Sequence, residues 1–213
     1  MSLSINEERS MKPSLFIGIV IAGMTYINAT AGNYILTIDG KQHDFELGQK
    51  KTVKLSDGKV VDVLLKKKAV ALYKEKWFSF DYPSDLKPSR TQIIKGLHQT
   101  MLATPTGALV LIQEYSTINP SNNVDIMLNS VTKKKVQYGY KIRTTPIRKR
   151  VGGILLKGKS AYLTYGKKWA KYEVYSYGKN KSGIIIMTMS QNTNNPQDKK
   201  MLDLFWKSLK IAI

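Results

Sequence analysis

The sequence contains no cysteine, which excludes a disulfide framework, a thiol nucleophile, a thiolate zinc site and lipid attachment through a lipobox cysteine. Histidine is nearly as scarce. His43 and His98 are the whole supply, they fall on different expected strands, and no HxH or HxxxH spacing offers imidazole ligands for zinc. No GxSxG, Walker loop or GxGxxG after a strand is present. Acidic residues are few: 15 against 34 lysines and arginines, a formal net charge of +19. Residues 73–213 hold just eight carboxylates, and two of them, Asp81 and Asp85, border a strand and its turn, where Asx-turn and capping roles explain them better than a glycosidase pair does. The residues therefore carry no recognisable catalytic set, metal site or cofactor site.

Long apolar runs are also missing. The longest uncharged stretch of that kind, residues 15–24 (LFIGIVIAGM), spans ten residues, half of the ~20 that a membrane helix needs. Lys12 precedes it, and Ala29-Thr30-Ala31 follow it. A basic start, a short apolar core and an A-x-A end read as a secretory signal peptide over residues 1–31, cleaved after Ala31, which implies a periplasmic or secreted protein. An uncleaved anchor or a buried core helix are the alternatives. Removing 1–31 takes away two basic and two acidic residues, so the mature chain keeps its +19.

From residue 32 the pattern has period two. Tyr34, Leu36 and Ile38 alternate before Asp39-Gly40. Val53 and Leu55 alternate before Asp57-Gly58, and Val61, Val63 and Leu65 follow. Asp-Gly between alternating apolar residues signals a type I′ hairpin, since that turn needs positive φ at both central positions. The crude repeat TIDGK and LSDGK thus predicts two hairpins, and residues 32–72 read as a small four-strand β unit that must pack on its neighbour to bury enough surface.

The next segment opens on Trp77-Phe78-Ser79-Phe80-Asp81-Tyr82-Pro83, an aromatic strand stopped by proline. Further strands are expected at 91–102, 108–115, 141–150, 154–156, 160–165, 170–177 and 183–190, joined by short Gly-, Asn- or Lys-rich turns that favour antiparallel pairing. Two helices interrupt them. One carries Val124, Met127, Leu128, Val131, Lys135 and Tyr138 on a single stripe after Asn122 and ends at Gly139. The other has Asn195 as N-cap, Pro196 at its first position, Asp198 in its first turn, and a stripe of Met201, Leu202, Phe205, Trp206 and Leu209. The expected fold is α+β: a twisted antiparallel sheet flanked by two helices, preceded by the small β-hairpin unit.

The opening FSFDYP, the hairpin ending in ALVLIQEY, the asparagine-capped helix, the basic hairpin GKSAYLTY and the closing LFWKSLKI resemble the PsbP/Mog/DcrB-like domain. The resemblance covers about residues 73–213 and leaves out the hairpin region before them. It implies a twisted antiparallel sheet flanked by helices and a non-enzymatic binding protein. The family has no shared catalytic motif, and its members' partners differ too widely for one to be carried over.

The positive charge is unevenly placed. Residues 32–72 have a net charge of +3 and residues 73–213 a net of +16, while the window 133–181 alone holds fifteen basic residues and a single acidic one, Glu173. The candidate partner-binding residues lie in that window: Lys133, Lys134, Lys135, Arg143, Arg148, Lys149, Arg150, Lys167, Lys168, Trp169 and Lys171. Seven tyrosines and Trp169 are interleaved with them, and cations beside rings suit polyanions that also present flat surfaces. Behind a signal peptide this points to an anionic envelope component or an acidic protein, with extracellular nucleic acid and peripheral contact with a membrane also open. The bland reading is equally physical. Lysine keeps a surface soluble and deters edge pairing, and Lys133, Lys134 and Lys135 suit a helix C-terminus. Arg148-Lys149-Arg150 has no such local explanation. The main alternative is an envelope assembly factor or effector chaperone using an apolar groove between sheet and helices; an unrecognised hydrolase built on His43 or His98 is the third.

Overall fold

The computed structural model of the protein describes residues 34–192 and 195–213. The signal peptide expected over 1–31 lies outside the described residues. The Asp-Gly hairpins form first along the chain: β1 (Tyr34–Ile38) with β2 (Lys41–Phe45), and β3 (Lys50–Lys54) with β4 (Val60–Leu64). Asp39 and Gly40 both have positive φ, as a type I′ turn requires. The second turn is different. Gly58 alone is left-handed, Leu55 pairs with Lys59, and Asp57 accepts a hydrogen bond from the Lys59 amide, which makes a three-residue loop closed by a glycine bulge. The Asp39 carboxylate reaches across to the Ser56 amide and hydroxyl, so one hairpin's turn caps the other's.

The expected four-strand unit is in fact two separate two-stranded sheets with Phe45 and Val53 buried in them. The strand after them, β5 (Val70–Lys74), crosses the expected boundary at residue 72 and pairs with β6 (Phe78–Pro83). After α2, β14 (Lys210–Ile211) pairs with the other edge of β6 to complete a three-stranded sheet.

The main sheet has seven antiparallel strands in the order β10-β11-β12-β13-β9-β8-β7. They are β7 (Ser89–Ile94), β8 (Leu97–Ala103), β9 (Leu109–Tyr115), β10 (Lys141–Val151), β11 (Ile154–Tyr165), β12 (Lys168–Lys179) and β13 (Ser182–Gln191). The expected strand at 91–102 is a hairpin turning at Gly96, whose φ is +84, and the pieces at 154–156 and 160–165 are one continuous strand. Among the described residues two α-helices, α1 (Val124–Gln137) and α2 (Pro196–Ser208), and a 3-10 turn at Pro120–Asn122 accompany the strands. Asn195 accepts from the Gln197 amide and Pro196 opens α2, as its sequence predicts. α1 ends in a Schellman motif: Gly139 has φ +88, and the Tyr140 amide reaches the Lys135 carbonyl. The chain turns away there, which leaves Tyr138 75% exposed and outside the expected stripe.

The α+β expectation is corrected. Strands take 55% of the described residues and helices 17%, so the protein is mainly β, with several small sheets beside the large one. The physical reason lies in the connections. β10, β11, β12 and β13 are joined by two-residue turns at Gly152-Gly153, Gly166-Lys167 and Asn180-Lys181, which spend almost no chain outside the ladder and let each strand run ten to twelve residues.

Alternation splits the core between the two faces of the seven-stranded sheet. On one face Leu111, Ala161, Leu163, Ala170, Tyr172, Val174, Ile185 and Met187 pack under Met127 and Leu128 of α1. On the other, Leu102, Val110, Ile112, Leu156, Tyr175, Ile184 and Ile186 meet Met201 and Phe205 of α2 and Phe78 and Phe80 of β6. Phe80 and Phe205 are fully buried and meet edge to face at 5.1 Å, a geometry worth about 1 kcal/mol beyond the area buried.

Candidate functional site

The basic window folds into α1's last turn and the three strands β10, β11 and β12, so strand register decides which of its side chains meet. Across the sheet, Arg143 stands opposite Tyr162, Tyr162 opposite Lys171, and Lys171 opposite Ser190. One step toward the β11–β12 turn, Lys141, Thr164 and Trp169 form the next row, and one step the other way Thr145, Ser160, Glu173 and Thr188 form another. Residues opposite one another project from the same face. These three rows therefore continue the α2 face of the sheet toward the β11–β12 turn, exposed or half-buried except at Thr188, which is buried. The row after them, Ile147, Gly158, Tyr175 and Ile186, is already core, with Tyr175 edge-on to Trp206 of α2 at 5.2 Å.

The open rows are cationic, hydroxylic and aromatic. Tyr162 and Trp169 lie nearly parallel with ring centroids 6.0 Å apart; Tyr162 is exposed and Trp169 half-buried, its amide held by the Asn192 side chain. Arg143 and Lys171 are exposed on either side of Tyr162. Lys171 pairs with Glu173 at 2.6 Å. Among the described residues Arg143 forms no ion pair, and neither do Lys133, Lys134, Lys167 and Lys168, all of which sit at this same end of the sheet.

On the opposite face, at the same end, a second ring pair forms where α1 returns into β10. Tyr140 and Tyr165 lie 5.4 Å apart, and Lys135 sits 5.2 Å over the Tyr140 ring while reaching toward Gln191. The β11–β12 turn with Lys167 is thus flanked by aromatic pairs on both faces. Of the eleven residues expected from sequence, the structure gathers Lys133, Lys134, Lys135, Arg143, Lys167, Lys168, Trp169 and Lys171 around this turn.

Arg148, Lys149 and Arg150 do not join them. They lie at the far end of β10, with Arg148 five residues from Arg143, about 17 Å along an extended strand. Alternation also divides the tract: Lys149 lies 4.5 Å over the Trp206 ring, while Arg148 and Arg150 point to the opposite face. Lys149 thus has a packing role that its sequence context does not announce. Sequence reasoning missed Tyr162 as the ring beside Trp169 and Arg143, although the spacing 162 to 169 across a tight turn would have placed them diagonally on one face.

His43 and His98 fall on different sheets, in β2 and β8. His98 stands opposite Glu114, but that carboxylate is bound by Arg90, which also contacts Glu75 at 3.3 Å. The Glu114 side chain is 7% exposed, and burial pushes its carboxyl above the ordinary value against the pull of the Arg90 guanidinium. Among the described residues no group of three or more His, Asp and Glu side chains is placed to hold a metal ion. A pocket of about 340 Å³ opens elsewhere, between Lys67, Lys68, Ser84 and Asp85 and the first turn of α2 at Gln197 and Lys200. Among the described residues no helix is long and apolar enough to cross a membrane.

No protein-family profile matches the chain, and no curated protein does. Among solved structures, a crystal structure at 1.50 Å resolution of a protein from Bacteroides thetaiotaomicron VPI-5482 is similar over 64% of this chain, at 11% identity and a TM-score of 0.39. This chain covers 46% of that one, so it spans less than half the length of its neighbour. A likeness of that size identifies neither the fold nor a function.

Proposed function

We propose that the protein is a non-enzymatic, secreted or periplasmic binding protein that engages an anionic partner through the basic, tyrosine-rich end of its seven-stranded sheet. One observation carries the reading: Lys133, Lys134, Arg143, Lys167 and Lys168, scattered over 36 residues of sequence, converge on one end of the sheet and form no ion pairs among the described residues. Like charges held together without partners cost stability, and an anion offsets that cost. Anionic envelope components and acidic proteins are the partner classes that fit the proposed compartment. The apolar-groove alternative finds less support, because the spaces between sheet and helices are filled by Met127, Leu128, Met201 and Phe205.

The test compares the two ends of β10. Charge reversal at Arg143, Lys167 and Lys168 is expected to abolish retention of the protein on heparin at low salt, whereas reversal at Arg148 and Arg150 leaves most of it, with binding of the unaltered protein falling steeply as salt rises. Salt-insensitive retention, or equal loss from both sets, overturns the reading.

A further inference from the structure

The rows toward the β11–β12 turn differ from an ordinary solvated sheet face in one respect: charge and ring alternate from strand to strand. Arg143 on β10, Tyr162 on β11 and Lys171 on β12 follow one another across the ladder. The two cations thus stand two strand spacings apart, about 10 Å, with a ring between them. In the adjoining row Trp169, 6.0 Å from Tyr162, widens the aromatic surface.

Resting on the anionic-partner reading above, we propose that this face binds an acidic polysaccharide in which charged and uncharged sugar rings alternate. A sugar ring presents a flat apolar side that packs on an aromatic ring, and hydroxyl groups at its rim that both donate and accept. The face supplies both needs: rings at the centre, and the hydroxyls of Ser190 in the same row and of Thr164 in the adjoining one. Glu173, bound to Lys171 at 2.6 Å, sharpens the choice of ligand. A carboxylate beside the ligand path accepts hydrogen bonds from sugar hydroxyls. A DNA strand carries a charge on every unit and no free sugar hydroxyl along its length, so it would meet that carboxylate as repulsion and leave gaps between cations too wide for its phosphates. Cation spacing, ring placement and the half-buried Glu173 carboxylate thus favour a polymer charged on alternate rings.

The experiment measures binding of hyaluronan oligosaccharides, which bear a carboxylate on every second ring, to the full chain, with poly-dT of matched charge and heparin as comparisons. Tyr162→Ala and Trp169→Ala are each expected to weaken hyaluronan binding roughly tenfold, and Trp169→Phe to retain most of it, which guards against a variant that merely misfolds. If heparin binding persists while the ring variants bind hyaluronan normally, the anionic-partner reading stands and the polysaccharide proposal falls. Tighter binding of poly-dT than of hyaluronan, lost with the same rings, also overturns it and assigns the face to nucleic acid. Self-association removed by Trp169→Ala overturns it in favour of a second copy. If neither polymer nor heparin binds at low salt, both readings fall.

Discussion

Two ends of one sheet face behave oppositely although the same four strands build both. Toward the β10–β11 turn the α2 face presents Leu156, Tyr175, Ile184 and Ile186, all buried beneath Phe205 and Met201. Toward the β11–β12 turn it presents Arg143, Tyr162 and Lys171, all exposed, and the half-buried Trp169. One sheet face thus carries two different surfaces. α2 is thirteen residues long, about 20 Å, shorter than the twelve-residue strands it lies near, which extend about 40 Å. With Phe78 and Phe80 of β6 beside it, α2 covers the rows from Tyr175 onward, and the polar, cationic rows lie next to them.

The largest effect is expected at the covered end. Phe205→Ala removes a fully buried ring that touches Phe80 and Trp206, and is expected to cost about 3–5 kcal/mol in urea unfolding. A loss below about 1 kcal/mol would mean that this end is not the packed one.

A smaller effect is expected where the same face carries its buried carboxylate. Burial raises the Glu114 carboxyl above its ordinary value despite Arg90, so folding takes up a proton at this site. The contribution of Glu114 to stability is then fullest below its unfolded value and falls as pH rises through the raised one. Relative to Glu114→Gln, the unaltered protein should gain thermal stability on going from pH 7 toward pH 4. Parallel melting curves, or a gain in the other direction, would show that Arg90 dominates and that the carboxyl is held ionised.

The smallest stability change is expected at the open end. Arg143→Gln alters an exposed side chain without an ion pair among the described residues, and should shift unfolding by less than about 0.5 kcal/mol while weakening retention on heparin. A large destabilisation would place Arg143 in the structural framework and blur the distinction between the two ends.

Much of the local structure was legible because it is set by neighbours along the chain. Asp39-Gly40, Asn195-Pro196 and Gly139 behave as their backbone preferences require, and the alternation of Tyr172 and Val174 against Tyr175 and Tyr177 holds on opposite faces. What misled was continuity. Gly158 interrupts the apolar pattern and suggests two strands, but it sits inside β11, where a Cβ would collide with the Val174 carbonyl, so the glycine permits a close approach and the strand runs on. Gly96, with no apolar contrast around it, turns a stretch that reads as one strand into two. The resulting excess of strand over helix is why the α+β expectation gave way to a mainly β fold.

The candidate site shows the same division. A basic, tyrosine-rich window is visible as composition, since charge and residue type are properties of single positions. That Arg143, Tyr162, Trp169 and Lys171 share a face while Lys149 goes to Trp206 and Arg148 and Arg150 to the other side is a matter of strand register and of what packs on each part of the sheet. The charge and the turns were determined residue by residue along the chain. The separation of that charge into two ends and two faces was decided by tertiary structure, because a one-residue step along a strand reverses a side chain's direction and what packs on each part of a sheet is set by the fold.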